Sequence, residues 1–171
     1  MKNGIGKLIQ LCQGRPVYVQ THNFPDPDAL AAGYGISRLL ERFEIHTTLC
    51  YDGKLDKRAC KKMTEVFQIR VTPLRRMNLP EENAVLICVD GQRGNGNIRF
   101  VPVETVACID HHPVTVEGHY AYQDIRAVGS CCAIVAEYFR DLGIEPDENT
   151  ASALLYGIQV DTRQFTRGVS D

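Results

Sequence analysis

Tryptophan is absent from the chain and aromatic residues make up only 8% of it, which argues against an extended stacking platform for single-stranded nucleic acid. No apolar run approaches the roughly 20 residues of a membrane span. The N-terminal stretch MKNGIGKLIQLCQGRP has one short apolar patch and no secretory h-region. A surplus of either charge is missing too. The formal net charge of −2 gives no general affinity for duplex DNA or an anionic membrane, although a local basic patch can still hold a short oligonucleotide. The seven cysteines (12, 50, 60, 88, 108, 131 and 132) form no C-x-x-C pair, which disfavours a zinc ribbon or a thioredoxin-like site. Their odd number and their places in apolar runs suit small buried hydrophobes in a reducing cytosol, so a cytoplasmic location is expected. There is no internal repeat, low-complexity tract or linker.

What is present is a composition ordinary for a globular chain, 44% hydrophobic and 23% charged over 171 residues. A short helix is expected over 4–13, then a strand at VYVQT (17–21). Helical spacing runs from Asp28 to Phe43, with Asp28 as the expected cap and unusually small early turns, ALAAGYG. Further strands are expected at 45–51, at AVLICVD (84–90), at ETVACID (104–110) and, more weakly, at YAYQDI. Helices are expected at 55–68, 130–142 and 148–159, with Ser130 and Asp147 as N-caps and Gly143 as a stop. VTPLRRM is ambiguous. Alternating strands and helices predict an α/β fold: a doubly wound, mostly parallel sheet with helices on both faces.

In such sheets ligands bind beyond the carboxyl ends of the strands, and ionisable groups gather there. The stretch THNFPDPDAL delivers His22, Asp26 and Asp28, separated by Pro25 and Pro27. AVLICVD ends in Asp90, ETVACID in Asp110 followed by His111 and His112, and ASALLYGIQV runs into Asp161. Each element alone has a bland reading: a turn former, a strand-end cap, or one core and one surface histidine. Four separate segments aimed at one rim favour a cation site instead, because clustered carboxylates and imidazoles repel or neutralise one another unless cations are present. Mixed His/Asp ligation suits divalent ions, Mn²⁺ foremost, with Mg²⁺ or Co²⁺ also suitable. Two ions would need a bridging carboxylate, and Asp90 on the central strand is the choice.

THNFPDPDA, VLICVD, CIDHHP and GIQVDT resemble, in order and approximate spacing, the four motifs of the DHH phosphoesterases, with Asp110-His111-His112 as the motif that names the group. The resemblance covers about residues 15–171, and is nearest to the oligoribonuclease and pAp-phosphatase-like branch, which is exopolyphosphatase-related. It implies a first Mn²⁺ on His22, Asp26 and Asp90 and a second on Asp28, Asp90, His111 and Asp161. It places His112 as the catalytic group at the scissile phosphate or leaving oxygen, with Asp110 orienting a histidine. Two-metal activation of a bridging hydroxide for in-line attack on phosphorus follows. Pro27 stands where the family often has glycine. The family's smaller C-terminal substrate-binding domain has no counterpart here, so residues 1–171 are expected to be a DHH catalytic domain cut at FTRGVSD.

Weaker substrate contacts are Arg93 and Asn97 in the loop GQRGNGN, Ser130 at a helix start, and Arg163 with Arg167 after Asp161; KLDKRACKK (54–62) reads as a solvated helix face. The leading function is hydrolysis of phosphate esters in short oligonucleotides or small nucleotides, such as nanoRNA, pAp or linear dinucleotides. The alternatives are a pyrophosphatase or exopolyphosphatase acting on phosphoanhydrides, and a low-turnover nucleotide sensor. The expected partner is thus a short oligonucleotide or nucleotide phosphate, with neither duplex DNA nor a membrane; a homodimer is compatible with this reading.

Overall fold

The computed structural model describes residues 4–78 and 80–167. Six strands, β1 (Val17–Thr21), β2 (Thr47–Tyr51), β3 (Thr72–Pro73), β4 (Val85–Val89), β5 (Glu104–Asp110) and β6 (Tyr122–Ile125), form one sheet in the order β3-β2-β1-β4-β5-β6. Every neighbouring pair is parallel. Among the described residues five α-helices accompany them: α1 (Ile5–Cys12), α2 (Pro27–Glu41), α3 (Arg58–Val66), α4 (Cys131–Leu142) and α5 (Glu148–Asp161). The chain winds outward from β1 to β3, then restarts beside β1 at β4. The order therefore reverses between β1 and β4, which opens a crevice at their carboxyl ends.

β1 and β4 are buried along their whole length, as continuous apolar runs between neighbours require. Val17, Val19, Leu49, Val85, Ile87 and Val89 point into one core, which takes in the buried residues of all five helices. Tyr18, Cys50, Leu86 and Cys88 point into a smaller core on the other face. The parallel α/β fold is as expected, but its helical cover is lopsided. Where helices on both faces are expected, the second face is covered by a 3₁₀ turn at Leu74–Arg76 and by coil contributing Ile98, Phe100, Val101 and Val103. The connections on this side carry Pro73, Pro80, Pro102 and the Gly/Asn-rich stretch 91–97, none of which sustains a helix. Buried Gln20 fastens that coil like a short extra strand, donating Nε2 to the Arg99 carbonyl at 2.6 Å and accepting the Val101 amide at 3.0 Å.

α2 lies between the sheet and the pair α4 and α5, so nearly all of it is buried. Its small early residues allow that double contact. The helix starts one residue earlier than expected, with Pro27 at its first position, where a missing N–H is harmless. Asp26, not Asp28, is therefore the cap, accepting the Ala29 amide at 3.0 Å. Ser130 and Asp147 cap α4 and α5 as expected, and Gly143 ends α4 at φ 65°. The ambiguous VTPLRRM resolves into the two-residue β3 and the 3₁₀ turn. All seven cysteines are free and buried. FTRGVSD continues as turn to residue 167, and its last four positions lie outside the described residues. Among the described residues no helix is long and apolar enough to cross a membrane.

Candidate metal centre

The eight groups singled out in the sequence converge on the crevice between β1 and β4. β1 leads into His22, and the start of α2 contributes Asp26 and Asp28. Asp90 follows β4, and β5 ends in Asp110, with His111 and His112 directly after it. The last turn of α5 contributes Asp161. Two sets of donor atoms come close enough to share an ion, His22 with Asp26 and Asp90, and Asp28 with His111 and Asp161; Asp90, His111 and His112 make a third. Asp90 faces both sides: Oδ2 lies 3.6 Å from His22 Nε2, and Oδ1 lies 3.4 Å from His111 Nε2. His111 Nε2 is also 3.7 Å from Asp28 and 3.4 Å from Asp161.

The backbone aims these side chains. His22 Nδ1 faces the Asn23 carbonyl at 2.8 Å and His111 Nδ1 the Val128 carbonyl at 3.1 Å. A carbonyl only accepts, so each Nδ1 carries its hydrogen and each Nε2 presents a lone pair to the centre. Asp28 is seated on the N-terminus of α4, accepting the amides of Cys131 at 2.7 Å and Cys132 at 3.0 Å. The anion at that helix end is thus a side chain of the protein itself. Asp110 accepts Nδ1 and the backbone amide of His112, the His111 amide, and Gln92 Nε2 at 2.7 Å. It is fully engaged and turns the half-exposed His112 ring so that Nε2 points away from it.

The electrostatics ask for positive charge. Burial, then repulsion from Asp28, Asp26, Asp110 and Asp161, pushes the Asp90 carboxyl well above the ordinary carboxylate range. Its Oδ1 is buried with no hydrogen-bond partner, in a backbone at φ 57° that residues with a Cβ seldom adopt. Burial also raises Asp28, against the pull of the Cys132 thiol and the α4 amides. Burial opposes charge on Asp26 and Asp110, yet His22 and the Ala29 amide hold Asp26 below the usual range, and His112 and Gln92 do the same for Asp110. His22 is raised, with Asp26 and the Asn23 carbonyl outweighing its burial, and Asp110 raises His112. An orphaned buried carboxylate oxygen between two imidazole–carboxylate groups is the donor set of a divalent cation site.

The weaker candidates do not join the centre. The Arg93 guanidinium turns toward the start of β5, where it donates to Thr105 Oγ1 at 2.6 Å and lies 4.6 Å over Phe100. Both contacts hold the coil cover rather than the metal groups. Ser130 is fully buried and its hydroxyl accepts the Ala133 amide as a helix cap. Asn97 contributes its carbonyl, which accepts the Asn23 amide at 2.8 Å and braces the loop after β1. Arg163 is exposed in a left-handed turn just past α5. Sequence reasoning passed over Lys57, which lies in the basic run assigned to a solvated face; its Nζ is 3.8 Å from Asp26 Oδ2. Only its position one residue before a helix, at the carboxyl edge of the sheet, could have singled it out. Gln92, two residues after Asp90, carried no signal of its own.

Fold and site together define an α/β protein with a histidine–carboxylate centre at the switch point of a parallel sheet. A family model described as "DHH family, N-terminal domain" matches residues 16–158, and the chain belongs to the DHH family. It is 32% identical over 159 residues to the "Uncharacterized protein MJ1633" of Methanocaldococcus jannaschii, covering 91% of this chain and 32% of that protein. It is 26% identical over 174 residues to the "Cyclic-di-AMP phosphodiesterase PdeA" of Listeria monocytogenes, covering 91% of this chain and 26% of that one. Identity to the "Probable manganese-dependent inorganic pyrophosphatase" of Streptococcus pyogenes is 26% over 162 residues, 91% of this chain and 52% of that protein. The chain thus spans between a quarter and a half of these relatives. The crystal structure of an exopolyphosphatase-related protein from Bacteroides fragilis shares the fold at TM-score 0.77 and 17% identity, over 98% of this chain and 52% of that one.

Proposed function

We propose that this chain is the catalytic part of a metal-dependent phosphoesterase that cleaves phosphate esters in short oligonucleotides or small nucleotides. The observation that carries this reading is Asp90, a buried carboxylate with one oxygen unpartnered, set between two imidazole–carboxylate groups. His22, Asp26 and Asp90 would hold one divalent cation, and Asp28, Asp90, His111 and Asp161 a second, with Mn²⁺ preferred. Such cations, when bound, supply the Lewis acidity that draws charge off phosphoryl oxygens and eases ionisation of water.

The remaining work falls to the side chains. His112 is half exposed at the mouth, and its Nδ1–H is anchored on Asp110 at 2.8 Å. Asp110 favours the charged imidazolium, whose Nε2–H can give its proton to the oxygen that leaves phosphorus. Gln92 bonds both Asp110 and the His112 carbonyl, so the pair turns as one unit. Lys57 adds a cation on the open side of Asp26, where a substrate phosphate would arrive. The cyclic-di-AMP phosphodiesterase relative supports ester chemistry on a nucleotide. The pyrophosphatase relative supports a second reading, hydrolysis of inorganic phosphoanhydrides at the same residues. A Mn²⁺-dependent hydrolysis panel on the full-length protein, with pApA, pAp, short RNA, pyrophosphate and polyphosphate, separates them. AMP from pApA or pAp supports the ester reading; phosphate from pyrophosphate with no AMP from either nucleotide overturns it.

A further inference from the structure

Phe24 stands between His22 and Asp26 yet belongs to neither metal group. Its backbone is left-handed at φ 54°, a conformation rare and strained for a bulky residue, and its side chain is 55% exposed. Two features hold it there. Its amide donates to the Asp52 carbonyl at 3.0 Å, and its ring lies on Gly53, where any Cβ would come within 2.8 Å of the ring's Cε1. Gly53 is itself left-handed at φ +84°. The chain thus sets a flat aromatic shelf, backed by bare backbone, at the lip of the centre. An exposed aromatic in strained backbone does nothing for the metal groups.

The shelf is flanked by positive charge. Arg75 donates Nη1 to the Gly53 carbonyl at 2.6 Å, and the largely exposed Lys57 stands beside Asp26. A cavity of about 360 Å³ adjoins it, sharing Asp52 and Arg75 and floored by Leu74, Met77 and Phe100. An inorganic polyanion would need the cations and would gain nothing from an apolar ring. A nucleotide would use both, its phosphates on the cations and its base on the ring.

We infer that Phe24 is a specificity-determining residue whose ring stacks on a nucleobase next to the scissile phosphate, with Lys57 and Arg75 neutralising the adjoining phosphate. The inference rests on the nucleotide reading above and deepens it. It is tested in the full-length, Mn²⁺-loaded protein by comparing wild type, Phe24→Leu and Phe24→Trp. The substrates are pApA and the dinucleotide of the same backbone lacking both bases; AMP affinity is measured alongside by calorimetry. Phe24→Leu keeps an apolar side chain on Gly53 but has no π face. It is expected to raise KM for pApA by about 5- to 150-fold and to collapse the preference for pApA over the abasic compound. Phe24→Trp is expected to keep that preference. An unchanged preference in Phe24→Leu overturns the inference. If the wild type cleaves pyrophosphate but not pApA, the ester reading fails, and AMP affinity decides Phe24 separately: weaker binding by Phe24→Leu supports the shelf, and equal binding overturns it.

Discussion

Asp90→Asn exchanges a buried carboxylate, wedged among Asp26, Asp28, Asp110 and Asp161, for a neutral amide of nearly the same shape. Without cations the wild-type carboxyl is itself driven toward its neutral form, so the metal-free variant should melt no lower than the metal-free wild type. The rise in Tm on adding Mn²⁺ should vanish, as read by thermal melts with and without the ion; a full wild-type rise would contradict Asp90 as the shared ligand. His112→Ala should keep that rise while kcat for the best substrate falls roughly 10²- to 10⁴-fold, as expected for a lost proton donor. A near-normal kcat would remove His112 from the chemistry. At this scale the sequence showed which residues come together better than what each one contacts. All eight centre residues were legible, because strand-end position and residue type are both local. Roles that depend on a distant partner were not. Asp28 looked like a cap for its own helix and instead braces α4, more than 100 residues away in the chain. Arg93 looked free beside the site, but it reaches across the loop to bond Thr105 and lie over Phe100.

Asp147 joins α5 to α2, accepting the Thr150 amide and hydroxyl and pairing with Arg38. Burial opposes its charge, but Thr150 and Arg38 together outweigh that and hold its carboxyl below the usual range. Asp147→Ala should therefore destabilise by about 1 kcal/mol, a drop of roughly 2–4 °C in Tm. The lowered folded pKa fixes the sign. The contribution is complete above the unfolded value of about 3.9, and is lost as pH falls through the folded one. The melting difference between wild type and variant should thus be full near neutrality and shrink below about pH 4. Gly157, one turn before Asp161, governs how closely α5 packs: a Cβ there would lie 2.5 Å from Cys132 Sγ and 3.4 Å from Asp28 Cα. Gly157→Ala should cost about 1–3 kcal/mol and weaken Mn²⁺ binding, because Asp28 and Asp161 are displaced together. Adding Cys132→Ala should restore much of both in a double-mutant cycle. Elements with long apolar periodicity were legible in the sequence to within a few residues. The two-residue β3 and the helix-free connections were not, since neither carries a period to read.

For the whole molecule, the reversal of strand order between β1 and β4 brings four distant segments to one crevice, and cation binding should stabilise all of them together. At 100 times its dissociation constant, one Mn²⁺ site adds about 2.7 kcal/mol, worth roughly 5–10 °C for a domain of this length. Chelation should reverse that rise, and a melt insensitive to Mn²⁺ and chelator would count against the centre. Within this frame Asp28 has a consequence for how the centre fills. Its carboxylate is held by two amides of α4 that belong to the fold itself. The entropy lost in fixing that ligand is therefore already met during folding, and none of it remains to be lost on loading. Asp26, by contrast, shares its oxygens with the Ala29 amide, His22 and the largely exposed Lys57 chain. One half of the centre is thus more preorganised than the other, so the two cation positions proposed above should differ in entropy of binding.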